Sequence, residues 1–228
     1  MKVVTPRFES SDIGYKVVDC GLTRYRENYE LQKRIFSRRL EGSGEDVLLI
    51  TRHEPVITLG KSAREKDLLV SKDFLSDNGV ELVELDRGGG ITYHGPGQLV
   101  VYPIFDLRGY GKDLRRFIKK LGSAASRTVE ELGLNVEFKE GNKIGLWVKG
   151  DETRKLGSLG LRVKKWYTMH GLALNVSLDK EKAGLIRPCG VEGATLVSLE
   201  DFVDTKLEEV KKILLTQLNE EFSGGGSM

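Results

Sequence analysis

The sequence predicts an α+β fold, with a mostly antiparallel sheet flanked by helices. Short runs rich in β-branched and aromatic residues recur along the chain, and turn signals separate them. Segments with apolar residues at helical spacing are set apart from these runs. With 228 residues and 39% hydrophobic content, the chain can bury one substantial core. We therefore predict a single domain over residues 1–222 and a disordered tail over residues 223–228.

The first half of the chain predicts one helix and four strands. Apolar residues at helical spacing predict an amphipathic helix over 22–40, in which Gln32 is the polar exception. The run LVVYPIFDL is continuous and apolar, too short for a confident helix and rich in β-formers, which favours a buried strand. The predicted strands are at 47–51, 56–60, 80–86 and 99–107.

The second half predicts a long helix, four more strands and a final helix. Asp113 can cap a helix over 113–132, which Gly133 then ends. Thr205 with Glu208 predicts a capping box at the start of the last helix, whose apolar stripe reaches Phe222. The predicted strands are at about 135–139, 143–149, 155–164 and 170–177, with GDET at 150–153 as a hairpin turn.

Charge, hydropathy and cysteine content exclude several classes of protein. The formal net charge is only +2, which gives no overall attraction to nucleic acid or an anionic membrane. The N-terminal residues lack the apolar core of a signal peptide, and no apolar run is long enough to cross a bilayer. Cys20 and Cys189 are too few and too far apart for a disulfide framework or a metal site. We expect a cytoplasmic protein with two free thiols.

The stretch RGGGITYHGPGQ at 87–98 is the first candidate for a functional segment. We predict that it joins two strands, and its glycines allow positive φ values and close approach of N–H groups to a ligand. Neither GxGxxG nor GxxxxGK[ST] is present, which argues against nucleotide binding. An ordinary irregular connection is the alternative interpretation, in which His94 is a structural histidine.

The stretch GLIRPCGVEG at 184–193 is the second candidate. Cys189 lies between a stiffening proline and a glycine that leaves the sulfur approachable, which suits a nucleophile. The alternative is a small buried hydrophobe, the role that we assign to Cys20. A thiol attacks as its thiolate, which Lys155, His94 or His170 could stabilise. The alternative for Lys155 is a solvated lysine on an edge strand.

Five segments in order and spacing resemble the lipoyl(octanoyl) transferase family: RHEPVITLG, RGGGITYHGPGQLVVYPIFDL, RKLGSLGLRV, HGLALNVSL and IRPCGVEGATLVSL. The match runs from about Tyr25 to about Leu199. The resemblance implies the fold of the biotin and lipoate protein ligase catalytic domain. It also implies transfer of an octanoyl group from octanoyl-acyl carrier protein to the ε-amine of a lysine on a lipoyl domain.

The resemblance further implies roles for individual residues. Cys189 would be the acyl-thioester nucleophile, and Lys155 the partner that lowers its pKa. The acceptors would be lipoyl domains of 2-oxoacid dehydrogenase E2 subunits and glycine cleavage H protein. The residues implied to line the acyl site are Arg87, Gly88, Gly89, Gly90, Ile91, Thr92, Tyr93, His94, Ser158, Leu159, Gly160, Gly171, Leu172 and Ala173.

A thioester donor needs no ATP, and we expect no cofactor. The three histidines show no ligand spacing, so the sequence gives no sign of a metal site. Three rival functions stay open from the sequence. They are an ATP-dependent lipoate or biotin ligase that needs no cysteine, a non-catalytic acyl-binding module, and a thiol hydrolase that releases the acyl group to water.

Overall fold

The computed structural model describes residues 7–9 and 14–223, which form two sheets and five α-helices. Of the predicted tail at 223–228, residues 224–228 lie outside the described residues. The helices are α1 (Tyr25–Leu40), α2 (Lys72–Asp77), α3 (Leu114–Glu131), α4 (Lys180–Ala183) and α5 (Leu207–Phe222). The strands are β1 (Arg7–Glu9), β2 (Lys16–Thr23), β3 (Val47–His53), β4 (Val56–Leu59), β5 (Glu81–Glu84), β6 (Ile91–His94), β7 (Gln98–Ile104), β8 (Val136–Lys139), β9 (Gly145–Val148), β10 (Arg154–Lys164), β11 (Tyr167–Asn175) and β12 (Thr195–Leu196).

The large sheet has the strand order β1-β2-β3-β7-β11-β10-β9-β8, with β12 paired to β10. Most of its neighbours run antiparallel, whereas β2 with β3 and β10 with β12 run parallel. The turn at 150–153 joins the antiparallel strands β9 and β10, as the sequence predicts. The structure thus confirms the predicted α+β class with a mostly antiparallel sheet.

Helices cover both faces of the large sheet. On one face, α3 and α5 bury Phe117, Leu121 and Leu214 against sheet residues that include Leu172. On the other face, α1 buries Phe36 among side chains of β2, β3, β7 and β11. Because the central strands are covered on both sides, β7 and β11 are buried along their whole length.

A small sheet of order β5-β4-β6 stands beside the large one with its own core. Ile57 of β4 and Tyr93 of β6 pack with Leu75 of α2, Ala183 of α4 and Ile186. We call these five residues the small-sheet cluster. Its strands are short, and β4 with β5 runs parallel. The functional residues described below come from both sheets.

Several sequence predictions need correction at their ends. The first helix begins at Tyr25, since residues up to Thr23 belong to β2. The glycine-rich stretch is only partly a connection, because it contains β6. The predicted capping box of the last helix is wrong: α5 begins after Lys206, and the Thr205 hydroxyl contacts the Glu209 carboxylate at 3.2 Å instead of a backbone N–H.

The long helix matches its prediction closely. The Asp113 side chain caps α3 by accepting from the backbone N–H of Arg116 at 3.0 Å. Within the described ranges, no helix combines the length and apolar character that a membrane span needs.

Candidate active site

Cys189 lies in a short 3₁₀ turn, Pro188–Gly190, between α4 and β12. Its φ is +55°, and Gly190 follows with φ +61°. A residue with a side chain in this left-handed region costs about 1–2 kcal/mol relative to right-handed backbone. The surrounding structure must therefore maintain the turn that aims the sulfur. Cys189 is partly exposed and Cys20 is buried, both as free thiols, as predicted.

Lys155, the second residue of β10, reaches the nucleophile from the large sheet. Its side chain is buried, and Nζ donates to the carbonyl oxygen of Ile144 at 2.8 Å and to Cys189 Sγ at 2.7 Å. A bulge between Lys155 and Gly157 shifts the register of β10 against β9 at this point. The structure thus brings together the two residues that the sequence proposes as a catalytic pair.

Two residues of β9 enclose the Lys155 side chain: Gly145 leaves space for it, and Trp147 covers its ammonium. Gly145 has φ +138°, and a Cβ there would lie 2.8 Å from Lys155 Cε and 2.2 Å from the carbonyl oxygen of Gly157. The indole ring of Trp147 lies under the ammonium, with Nζ 5.4 Å from the ring centroid. Burial against these groups is what separates Lys155 from water.

Opposing effects act on the pKa of the Lys155 ammonium. Burial lowers the pKa of the Lys155 ammonium, while the charge and hydrogen bond of Cys189 raise it, and the nearby Arg87 guanidinium lowers it. The net direction is downward. A lysine held this way can give its proton up more readily than a solvated lysine, so the pair can exchange a proton between nitrogen and sulfur.

A cavity of about 680 Å³ opens over this pair. It extends from the nucleophile turn past the start of α3, where Leu114 and Ile118 line its edge. Both catalytic candidates line it, together with nine of the residues predicted for the acyl site. Those nine are Arg87, Gly88, Gly89, Gly90, Ile91, Thr92, Ser158, Leu159 and Gly160.

An inner recess of about 30 Å³ shares part of that lining and continues toward α1. Its walls include the other predicted residues His94, Gly171, Leu172 and Ala173. Tyr93 lines neither space, because side chains alternate along β6 and its ring faces the small-sheet cluster.

Two glycines beside Arg87 make room for its buried guanidinium. Arg87 is 6% exposed, and its Nη2 donates to the Thr58 carbonyl oxygen and hydroxyl at 3.0 and 2.8 Å. A Cβ at Gly60 would lie 2.7 Å from Arg87 Nη1, and one at Gly160 would lie 3.5 Å from its Cδ. Close approach to Arg87 therefore favours glycine at these two positions, which both lie outside the stretch 87–98.

A buried cluster of tyrosine and histidine closes the recess, and the sequence did not indicate it. Nε2 of His53 lies 2.8 Å from the Tyr102 hydroxyl, and the Tyr25 ring stacks on His94 with centroids 5.8 Å apart. Burial lowers the pKa of His53 to about 3 and that of His94 to about 4. In the part of the chain that the structure describes, no group of three His, Cys, Asp or Glu side chains could hold a metal ion.

Sequence reasoning also missed Arg64 and Asp67, which line the cavity beside the nucleophile turn. They form an ion pair at 3.0 Å. An arginine and an aspartate three residues apart are common on protein surfaces, so the sequence carries no signal that separates this pair from others.

Comparison with known proteins places the chain in a family. The family model of the lipoyl protein ligase A/B catalytic domain matches residues 24–219. The octanoyltransferase of Caldicellulosiruptor saccharolyticus is 40% identical over 188 residues, which cover 82% of this chain and 79% of that protein. The octanoyltransferase of Clostridium kluyveri is 40% identical over 181 residues, covering 79% and 76% of the two chains.

Solved structures of more distant proteins share the fold. Lipoate-protein ligase A bound with ATP superposes with a TM-score of 0.70 at 19% identity, covering 88% of this chain and 82% of that one. A bipartite lipoate protein ligase from Thermoplasma acidophilum gives 0.68 at 18% identity, with 88% and 80% covered. The biotin protein ligase from Aquifex aeolicus gives 0.56 at 12% identity, with 92% and 71% covered. On the sequence matches, with the fold in agreement, the chain belongs to the octanoyltransferases, a family of acyltransferases.

Proposed function

We propose that the protein moves an octanoyl group from octanoyl-acyl carrier protein to the ε-amine of a lysine on a lipoyl domain, through a thioester on Cys189. The observation that carries the proposal is the 2.7 Å contact between Lys155 Nζ and Cys189 Sγ at the wall of a large cavity. Family membership supports octanoyl transfer in protein lipoylation. One structural neighbour is described together with an E2 lipoyl domain, which supports a lipoyl-domain acceptor.

The first half-reaction forms the acyl-enzyme. The Cys189 thiolate, paired with the Lys155 ammonium, attacks the carbonyl carbon of the donor thioester. A new S–C bond forms and the bond from that carbon to the donor sulfur breaks. The donor sulfur takes the proton of the Lys155 ammonium and leaves as a thiol, so Lys155 becomes neutral. Because one thioester replaces another, the step is nearly isoenergetic and requires no ATP.

The second half-reaction transfers the acyl group to nitrogen. The acceptor amine attacks the thioester carbon, Cys189 Sγ leaves as thiolate, and the amine nitrogen loses a proton. Lys155 in its neutral form is placed to take that proton, which restores the ammonium–thiolate pair. The thioester becomes a more stable amide, so this half-reaction drives the whole transfer.

Each half-reaction passes through a tetrahedral intermediate with negative charge on the former carbonyl oxygen. The glycine-rich segment at 88–90 and Ser158–Gly160 line the same cavity as Cys189 and could supply the donors. One well-placed donor is worth about 3 kcal/mol in the transition state. The buried Arg87 guanidinium adds positive charge to the same cavity.

An eight-carbon chain needs an apolar slot. Leu159, Leu172 and Ala173 are buried and line the inner recess, which shares part of its lining with the main cavity. Each buried methylene contributes about 0.8 kcal/mol. The recess itself is far smaller than the chain, so the chain would run from the main cavity into it with its terminal carbons innermost.

The test is intact-protein mass spectrometry after brief incubation with octanoyl-acyl carrier protein and no ATP. We expect an octanoyl adduct that maps to Cys189 and disappears when a lipoyl domain is added. The Cys189→Ser variant should give neither adduct nor product, whereas a Cys20→Ser variant should behave as the parent because that thiol is buried.

The same experiment separates the rival functions. Acylation of the lipoyl domain from octanoate plus ATP, with no adduct on the parent protein, would replace the proposal with a ligase. Free octanoate released without an amine acceptor would indicate a hydrolase. Stoichiometric binding of the donor without adduct or turnover would indicate a non-catalytic acyl-binding module.

A further inference from the structure

The turn that carries Cys189 is held at both of its ends by the segment 64–67. Nη2 of Arg64 lies 3.3 Å from the carbonyl oxygen of Gly190, at the end of the turn. The carbonyl oxygen of Asp67 accepts from the backbone N–H of Arg187, just before the turn, at 2.8 Å. The nucleophile therefore lies between two contacts that the same short segment supplies.

The Arg64 side chain is fixed by a two-pronged ion pair. Its Nε donates to Asp67 Oδ2 and its Nη2 to Asp67 Oδ1, both at 3.0 Å. The Asp67 carboxylate is only 3% exposed, whereas Arg64 is 50% exposed. A buried carboxylate without a partner is strongly unfavourable, so the guanidinium stays on Asp67 and its planar fork sets where Nη2 points.

The turn packs closely against this ion pair at Gly190, whose φ of +61° also favours glycine. A Cβ at Gly190 would lie 1.6 Å from Arg64 Nη2 and 3.2 Å from Asp67 Oδ1. The hydrogen bonds of the turn itself, Gly190 N to Arg187 O and Val191 N to Pro188 O, stay within residues 187–191. They shape the turn but do not fix it relative to the large sheet, where Lys155 lies.

We propose that Arg64, held in place by Asp67, is a positioning residue for acyl transfer. It keeps the Cys189 turn in its left-handed conformation and presents Sγ to Lys155 Nζ. The link to acyl transfer rests on the function proposed above. The positioning itself can be tested on the free thiol, without donor or acceptor.

The test is a double-mutant cycle read by the pH midpoint of iodoacetamide alkylation at Cys189, followed by peptide mass spectrometry. The parent, Arg64→Ala, Lys155→Ala and the double variant are compared. Among the described contacts, Arg64 and Lys155 share no hydrogen bond, but each contacts the Cys189 turn, so coupling beyond the direct interaction of their charges reports on this turn. We expect Lys155→Ala to move the midpoint to higher pH in the parent, and most of that shift to vanish in the Arg64→Ala background. Equal shifts in both backgrounds would overturn the proposal.

A second variant separates position from charge. Arg64→Ala leaves the Asp67 carboxylate unneutralised beside the cavity, and this charge alone would disfavour the thiolate. Arg64→Ala combined with Asp67→Asn removes that charge as well. We expect the combined variant to remain uncoupled from Lys155. If it regains the parental midpoint and coupling, Arg64 acts by neutralising Asp67, and the positioning role is wrong.

Arg108→Ala is the matched control for loss of a forked ion pair. Arg108 is 49% exposed, and its Nε donates to Asp106 Oδ1 at 2.8 Å and its Nη2 to Asp106 Oδ2 at 2.6 Å. Neither residue lines the cavity. We expect the parental midpoint in this variant, with melting temperatures recorded for all variants. A shift equal to that of Arg64→Ala would mean general loosening and would refute the proposal. Coupling in the cycle without any octanoyl adduct on the parent would leave the positioning intact and refute the transfer function instead.

Discussion

Lys155 and Cys189 meet at 2.7 Å, although they are 34 residues apart in the chain and belong to different parts of the fold. The lysine comes from the large sheet, and the cysteine from a turn that follows α4 beside the small sheet. The contact therefore exists only when both parts are folded and correctly placed.

Replacing the lysine tests that contact directly. Lys155→Ala should remove most of the transfer activity and move the alkylation midpoint of Cys189 to higher pH, because the thiolate loses its ammonium partner. The measurement is octanoyl transfer alongside iodoacetamide alkylation across pH. An unchanged alkylation profile would contradict the pairing.

The buried histidines predict loss of stability in acid. Burial lowers the pKa of His94 to about 4 from an ordinary value of 6.5, so between these values the unfolded chain binds more protons. Stability should be fully present above pH 6.5 and fall as the pH drops toward 4, by about 3 kcal/mol for this one residue. Urea unfolding at pH 7 and pH 4.5 measures the effect. His94→Gln should lose less stability than the parent over that interval, and an equal loss would contradict this assignment.

The close packing around Arg87 predicts that a side chain at position 60 destabilises the protein. Gly60→Ala would put a Cβ 2.4 Å from the carbonyl oxygen of Gly89 and 2.7 Å from Arg87 Nη1, which should cost about 1–3 kcal/mol of stability and reduce transfer. Gly109→Ala is the control, since a Cβ there meets nothing within 4 Å and needs no positive φ. Denaturant midpoints that fall equally in both variants would refute this account.

The inner recess predicts the preferred acyl length. Ala173 is 3% exposed and lines the recess, so Ala173→Leu should fill the space intended for the terminal carbons. The ratio of hexanoyl to octanoyl transfer should rise at least several-fold, while Cys189 alkylation stays at the parental rate. Rates measured with both donors on the same preparation provide the control. An unchanged ratio would place the chain end elsewhere.

Much of the fold and site could be predicted because the signals are local. Periodicity and capping identified α3 with Asp113 at its start, and the hairpin turn at 150–153 identified the pairing of β9 with β10. The capping box at Thr205 was wrong because a matching motif does not ensure that the helix begins there. The segments singled out for chemistry are those that surround the cavity.

The remaining features depend on tertiary contacts that local patterns do not encode. Nothing near Tyr25 or Tyr102 in the sequence indicates that they close the recess, because strand pairing and helix packing bring them there. Likewise, Arg64 meets Gly190 across 126 positions of the chain. Tyr93 was assigned to the site as part of a contiguous motif, but strand alternation turns it away.

The separate core of the small sheet has a consequence for heat inactivation. The small-sheet cluster anchors Ile186, three residues before the nucleophile, while Lys155 is anchored in the large sheet. A fluctuation that opens only the smaller core would separate Cys189 Sγ from Lys155 Nζ, while most of the protein keeps its structure. Transfer activity should therefore be lost at a lower temperature than secondary structure. Amide hydrogen exchange should be faster in β4 and β6 than in β7 and β11.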